Sequence, residues 1–200
     1  MAPEIDMIIT RGKTFEFAFL YADEELGYLP ITGMPSKAPC RLTVQGHGLP
    51  DGWPAQVQCV KAPAELNSAE DEQYFIKVVD ADTIELNTVN AHCWKAFSGS
   101  GVLVFQKPVD LTGWACRAQV RDKVGGTVLF SWHSDPAENP DGEAEVDVAA
   151  NAFVLKIDAA TAAALEWTRG VYDAEAIAPT GEVYPLTAVS TVTVDAEVTA

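Results

Sequence analysis

The feature that most constrains this chain is a period-two alternation of apolar and polar residues, repeated in short runs. Phe15, Phe17, Phe19 and Tyr21 alternate with Glu16, Ala18 and Leu20, and Trp114, Cys116, Ala118 and Val120 alternate with Arg117, Gln119 and Arg121. Such runs send one face into a core and the other into water, as half-buried antiparallel strands do. Val128, Phe130 and Trp132 continue the pattern after Gly125-Gly126, which reads as a two-residue hairpin turn. Phe153, Leu155 and Ile157 form a further face, as do Tyr172, Ala174 and Ala176, and a last strand runs from about 188 to 194. One helix is predicted over 158–167, Ala-rich, with Asp158 as N-cap and Gly170 beyond its end. It is too short to be a layer and reads as a crossover between sheets.

Residues 38–107 have a different texture. Short strands around 42–44, 56–60, 74–79, 83–86 and 102–105 alternate with the turn-rich stretches 46–52, 62–73 and 98–101. Several short strands at close spacing suggest a small β-barrel or sandwich, of which the barrel is the expectation. The flanks 1–37 and 108–200 then form one discontinuous sandwich, into which the barrel is inserted at an exposed loop. The predicted fold is all-β: an immunoglobulin-like sandwich, an inserted barrel and a short helix.

Charge narrows the partners. The chain carries 29 acidic and 13 basic side chains, a net charge of −16. A nucleic-acid backbone or an anionic membrane surface requires basic clusters, so neither is expected as a partner. The N-terminus lacks the basic and apolar regions of a secretory leader, and no apolar run reaches 18 residues. Cys40, Cys59, Cys93 and Cys116 form no CxxC pair and lie in apolar runs, so they read as buried free thiols of a reducing cytosol.

The motifs that suggest chemistry fail on inspection. Gly12-Lys13-Thr14 resembles the tail of a phosphate loop, but Met7 stands where the first glycine belongs, and a polar turn is expected instead. In the acidic loop 135–147, Asn139, Asp141 and Gly142 fit an EF-hand register. Ala137 and Val148 break it at both ends, which leaves a solvated loop, with an irregular calcium site as the alternative. His92-Cys93, with Cys59 and His47, lacks zinc-ligand spacing, and Asp80-Ala81-Asp82 reads as a hairpin turn. The expectation is no catalytic, cofactor-binding or metal-ligating residue, no cofactor and no enzymatic activity. Trp114 and Trp132 are in phase with their buried faces. Trp53 and Trp94, in turn-rich surroundings, are the candidates for a contact surface for sugar or protein.

A resemblance adds context. Asp110 to Asp122, Gly125-Gly-Thr-Val-Leu-Phe130, Phe153 to Leu165, Arg169 to Ile177 and Gly181-Glu-Val-Tyr-Pro-Leu186, together with the opening Ile9 to Phe17, resemble small β-sandwich domains of tailed-bacteriophage virion proteins. Among these domains, the segments resemble the N-terminal domain of baseplate upper proteins. Gly46-His-Gly-Leu-Pro-Asp-Gly-Trp-Pro54, Leu66-Asn67 and Val78 to Leu86 resemble a short barrel module of phage tail and fibre proteins, which is similar to a small barrel in ubiquitin-activating enzymes. The resemblance implies a structural protein of the virion, assembled in the host bacterial cytoplasm. It would act as a tail, baseplate or fibre-attachment adaptor, in multiple copies or homo-oligomeric rings, with other virion proteins as partners. A capsid decoration protein and a carbohydrate-binding module for the host surface are the alternatives. The resemblance supplies no site residues. His47 reads as part of a turn, and Tyr172 as a residue bonding the nearby backbone like a tyrosine corner.

Overall fold

The computed structural model describes residues 2–197. The chain divides into two compact units: residues up to Leu20 with those from Asp110 onward, and Tyr21–Val109 between them. The first unit begins with β1 (Met7–Thr10) and β2 (Phe15–Leu20). Arg11 to Thr14 form the polar turn that joins them, where Gly12 takes a positive φ of 75°.

The chain then builds the second unit. It comprises β3 (Ala22–Pro30), β4 (Gly33–Lys37), β5 (Cys40–Thr43), β6 (Pro54–Gln58), β7 (Tyr74–Phe75), β8 (Lys77–Asp80), β9 (Thr83–Leu86) and β10 (Val102–Pro108). Two four-stranded sheets result, β3-β10-β6-β7 and β4-β5-β9-β8. They meet at corners where one strand runs into the next, β3 into β4 through Ile31-Thr32 and β7 into β8 through Ile76. The pairing carries through both corners: Ile31 N–H donates to Gly101 O (2.9 Å), Thr32 N–H to Thr43 O (2.9 Å) and Ile76 N–H to Trp53 O (3.0 Å). The sheets thus wrap into a small barrel, the arrangement in which bends carry strands from one sheet to the other. Its interior is filled by Ile31, Leu42, Val44, Trp53, Val57, Leu66, Ile76, Ile84 and Leu103.

On its return the chain adds β11 (Ala115–Arg121), β12 (Val128–His133), β13 (Gly142–Asp147), β14 (Ala152–Ile157), α1 (Ala159–Ala163), β15 (Arg169–Ile177), β16 (Val183–Pro185) and β17 (Ser190–Asp195). The strand order is β1-β17-β15-β11-β12-β13-β14-β2, with β16 on β15. β12 and β13 share only two parallel pairs, Trp132 with Gly142 and His133 with Glu143. This short link separates a β1-β17-β15-β11-β12 layer from a β13-β14-β2 layer. The order is that of an immunoglobulin-type sandwich: β2, β14 and β13 take the places of strands B, E and D, and β11, β15 and β17 those of C, F and G. The barrel occupies the B–C connection. Ile9, Cys116, Val120, Phe130, Trp132, Phe153, Leu155, Tyr172 and Val192 are buried in the sandwich.

Several boundaries differ from the sequence reading. Residues 22–37, assigned to the sandwich, are barrel strands, because β3 pairs with β10 from Ala22 to Pro30 and β4 pairs with β5. The helix is five residues long, not ten. Asp158 caps it as expected, accepting from Ala160 N–H (2.9 Å) and Thr161 N–H (3.0 Å). Gly170 lies within β15, where a Cβ would sit 2.5 Å from Val120 Cγ1 and 2.8 Å from Arg121 O. The turn at Gly125-Gly126 is part of a six-residue loop, 122–127, closed by Asp122 Oδ1 accepting from Thr127 N–H (2.7 Å).

Candidate functional site

The sequence candidates fall into structural roles, beginning with the barrel motif. His47 is 6% exposed. Its Nδ1 accepts from Leu49 N–H (3.1 Å) and its Nε2 lies 2.8 Å from Asp80 O. Nδ1 accepts from an amide and Nε2–H donates to a carbonyl, so the ring bridges two loops. Asp82 Oδ1 accepts from Gly46 N–H (2.8 Å), Asp80 Oδ1 from Asp82 N–H (2.9 Å) and Asp51 Oδ1 from Val78 N–H (2.7 Å). The Asp82 amide, foremost among its bonds, holds the Asp80 carboxyl below its ordinary value. Asn67 clips the next loop, accepting from Val60 N–H (2.8 Å) and donating to Val60 O (3.0 Å) and Ala64 O (2.9 Å). Asp80 and Asp82 are therefore hairpin residues, each with its Oδ1 bonded to a backbone amide.

Trp53 is no surface residue. It is 1% exposed in the barrel core, with its indole N–H donating to Gln106 O (2.8 Å). Its N–H closes the turn on Pro50 O (3.3 Å), and its C=O accepts from Ile76 N–H (3.0 Å) just ahead of β6. Trp94 is half-buried against the same core, and its carbonyl accepts from Lys37 Nζ (2.5 Å). Trp132 is buried as expected, its indole N–H donating to Lys156 O (3.1 Å). Trp114 is half-buried and stacks near Phe153 and Tyr184.

The thiols divide. Cys40 and Cys116 are buried, and desolvation pushes them up to about 11 and about 12. Cys59 and Cys93 are exposed, against the expectation that all four are buried. Cys59 sits just past the end of β6 in a left-handed conformation, φ 60°, and so leaves the alternation that would bury it. Tyr172 is buried and donates to Ile5 O. The bond anchors the N-terminal segment and not the backbone nearby, and burial raises the phenol to about 12.

The acidic segment 135–147, expected as a solvated loop, is a loop only to Asp141, since Gly142–Asp147 pair with β14 as β13. It borders an open cleft of about 600 Å³, lined by His133, Asn139, Asp141, Glu143, Lys156 and Asp158. Most of its polar groups are engaged. Asp141 Oδ2 accepts from Ser131 N–H (2.9 Å) and Oγ–H (2.8 Å), Asp135 caps a short 3-10 turn, Asp158 caps α1, and Lys156 pairs with Glu145. Among the described residues, no group of three or more His, Cys, Asp or Glu side chains is placed to hold a metal ion.

An exposed apolar face that the sequence did not announce lies on the outside of the barrel. Along β3, Gly27 and Leu29 point inward, and Leu26 and Tyr28 point out, 47% and 63% exposed. Phe75 on β7 is 68% exposed. Register places these side chains on one sheet: Leu26 is opposite Gln106, Tyr28 opposite Val104, and Phe75 opposite Pro54. Two acidic runs flank them in sequence, Asp23-Glu24-Glu25 before Leu26 and Glu70-Asp71-Glu72 before Tyr74. Such a face can bury aromatic surface against a partner, while its borders favour positive charge. No family model matches this chain, and no curated protein matches it at a significant level.

Proposed function

We propose that this chain is a structural protein of a tailed-phage virion, an adaptor that joins neighbouring tail, baseplate or fibre subunits by surface complementarity. The observation that supports this most is the outward-facing Leu26, Tyr28 and Phe75 on the barrel sheet. Exposed aromatic side chains held on a closed barrel lose little conformational freedom on binding, which favours assembly contacts. The net charge of −16 keeps the free subunit soluble and steers it to basic partners. Many copies in a symmetric ring fit such a role. The test is cryo-EM reconstruction of the virion with this chain located in it, together with quantitation of a Tyr28→Ala/Phe75→Ala variant in purified particles. A position between the tail core and the fibres, with the variant depleted from particles, supports the adaptor. A capsid position makes it a decoration protein, and absence from particles overturns the proposal.

A further inference from the structure

The sandwich is incomplete on one side. In most strands facing its core, the inward side chains are buried, including Cys116, Ala118 and Val120 on β11, Phe153, Leu155 and Ile157 on β14, and Val192 and Val194 on β17. In β2 the inward set is Phe15, Phe17 and Phe19, and only Phe19 is buried, while Phe15 and Phe17 remain partly open. β2 is also the end of the strand path. Its six residues pair with β14 alone, Phe15 with Ile157 through Leu20 with Ala152. The alternate N–H and C=O groups on its other side face no strand among the described residues. The chain's own N-terminal segment does not fill the place, because it is stitched elsewhere. Pro3 O accepts from Ala188 N–H (2.8 Å) and Thr187 Oγ1–H (2.9 Å), and Ile5 N–H donates to Ser190 Oγ (2.9 Å).

We infer that β2 is an acceptor edge, which an extended segment of a neighbouring protein completes by adding one strand to the β13-β14-β2 layer. The inference rests on the assembly role proposed above and names where one contact is made. Three features define the occupant. The row of free backbone groups requires an extended chain. Partly open Phe15 and Phe17 require apolar side chains at alternate positions, facing the core. Glu16 on the outer face is exposed, and Glu143 and Lys156 continue its row across the layer through the pairs Glu16–Lys156 and Lys156–Glu143. Lys156 is bonded to Glu145, so the local charge is negative and a Lys or Arg opposite Glu16 completes the row. No proline and no lysine lies within Phe15–Leu20, and Glu16 is the strand's one charged side chain.

The test uses the full-length protein and hydrogen–deuterium exchange with a capped peptide of alternating valine and lysine as the probe. The expected result is slowing of exchange over residues 15–20 by about tenfold at saturating peptide, as newly paired amides require. A valine–glutamate peptide of equal length gives no slowing, and Glu16→Lys, an exposed substitution, reverses the preference between the two. Absence of slowing at millimolar valine–lysine peptide overturns the inference. So does protection of the same amides without peptide that grows with protein concentration, which assigns the edge to a second copy. Location of the chain in particles is read separately. A chain found in the virion without an acceptor edge defeats only this inference, and a working edge on a chain absent from particles defeats only the assembly role.

Discussion

His47 shows how a residue that invites a metal-ligand reading serves the fold. Its two ring nitrogens join Leu49 N–H and Asp80 O across the barrel's end, and it is almost fully buried. Replacing it by alanine leaves a buried amide and a carbonyl without partners, a loss of about 1–3 kcal/mol. Urea unfolding of His47→Ala is expected to show that loss, and an unchanged midpoint would return the ring to the pool of functional candidates. The thiols give a second residue-scale test. In the native protein Cys59 and Cys93 are expected to react quickly with a disulfide reagent, and Cys40 and Cys116 only on unfolding, because the buried pair is held protonated. Four fast thiols would contradict the burial of both core cysteines. The role of His47 was legible, because Gly46-His-Gly48 and Asp80-Ala-Asp82 both read as turns. Trp53 differs from its sequence reading for a related reason: turn residues around a side chain report on the backbone, whereas the indole itself is buried with its N–H on Gln106 O.

At the scale of elements, the alternation located β2, β11, β12, β14, β15 and β17 because one of their faces is apolar, while β13 was hidden in the acidic segment 135–147. β3 and β4 were missed because that contrast fails in them. Inward Gly27 is the smallest residue, while outward Leu26 and Tyr28 are large and apolar, so the period-two signal is inverted. Gly27 is small for a local reason: a Cβ there would lie 2.5 Å from Phe105 Cε2, inside the ring's contact distance. Gly27→Ala is expected to displace the Phe105 ring and destabilise the barrel by about 1–3 kcal/mol, read from thermal unfolding. The open edge of β2 was invisible for another reason. An edge is a property of strand order, which depends on what β14 does more than 130 residues later. Turns and caps also set the response to acid. Asp80, Asp110 and Asp158 are held below their ordinary value of 3.8, Asp80 chiefly by the Asp82 amide and the other two chiefly by the Thr112 and Thr161 side chains. A depressed carboxyl stabilises the folded state above its unfolded value, and that contribution is lost as pH falls through the folded value. Stability is therefore expected to be insensitive to these groups above about pH 5 and to decline below about pH 4, measured by urea midpoints across that range.

The whole molecule poses the question of how a sandwich tolerates 89 residues between its second and third core strands, Tyr21–Val109. The barrel's own ends supply the answer. Ala22 is the register partner of Pro108, so the inserted chain leaves beside the point where it enters. Antiparallel partners lie about 4.5–5.5 Å apart, which makes the insertion nearly a point event for the host. The barrel also closes its own sheets around its own core, Ile31 through Leu103, and needs no strand from the sandwich for that core. Replacing Tyr21–Val109 by a flexible linker of about six residues spans the gap between Leu20 and Asp110 and is expected to leave a cooperatively folding sandwich. Trp132 is the reporter. Buried beside Phe130 with its indole N–H on Lys156 O, it keeps a blue-shifted emission if the sandwich is intact and shifts to the red if the layers come apart. The barrel expressed alone as residues 21–109 should in turn keep Trp53 buried. A red-shifted sandwich lacking its insert would mean that the B–C connection is part of the host's stability. In that case the two units are one folding body, and their adjacent ends would reflect a shared fold.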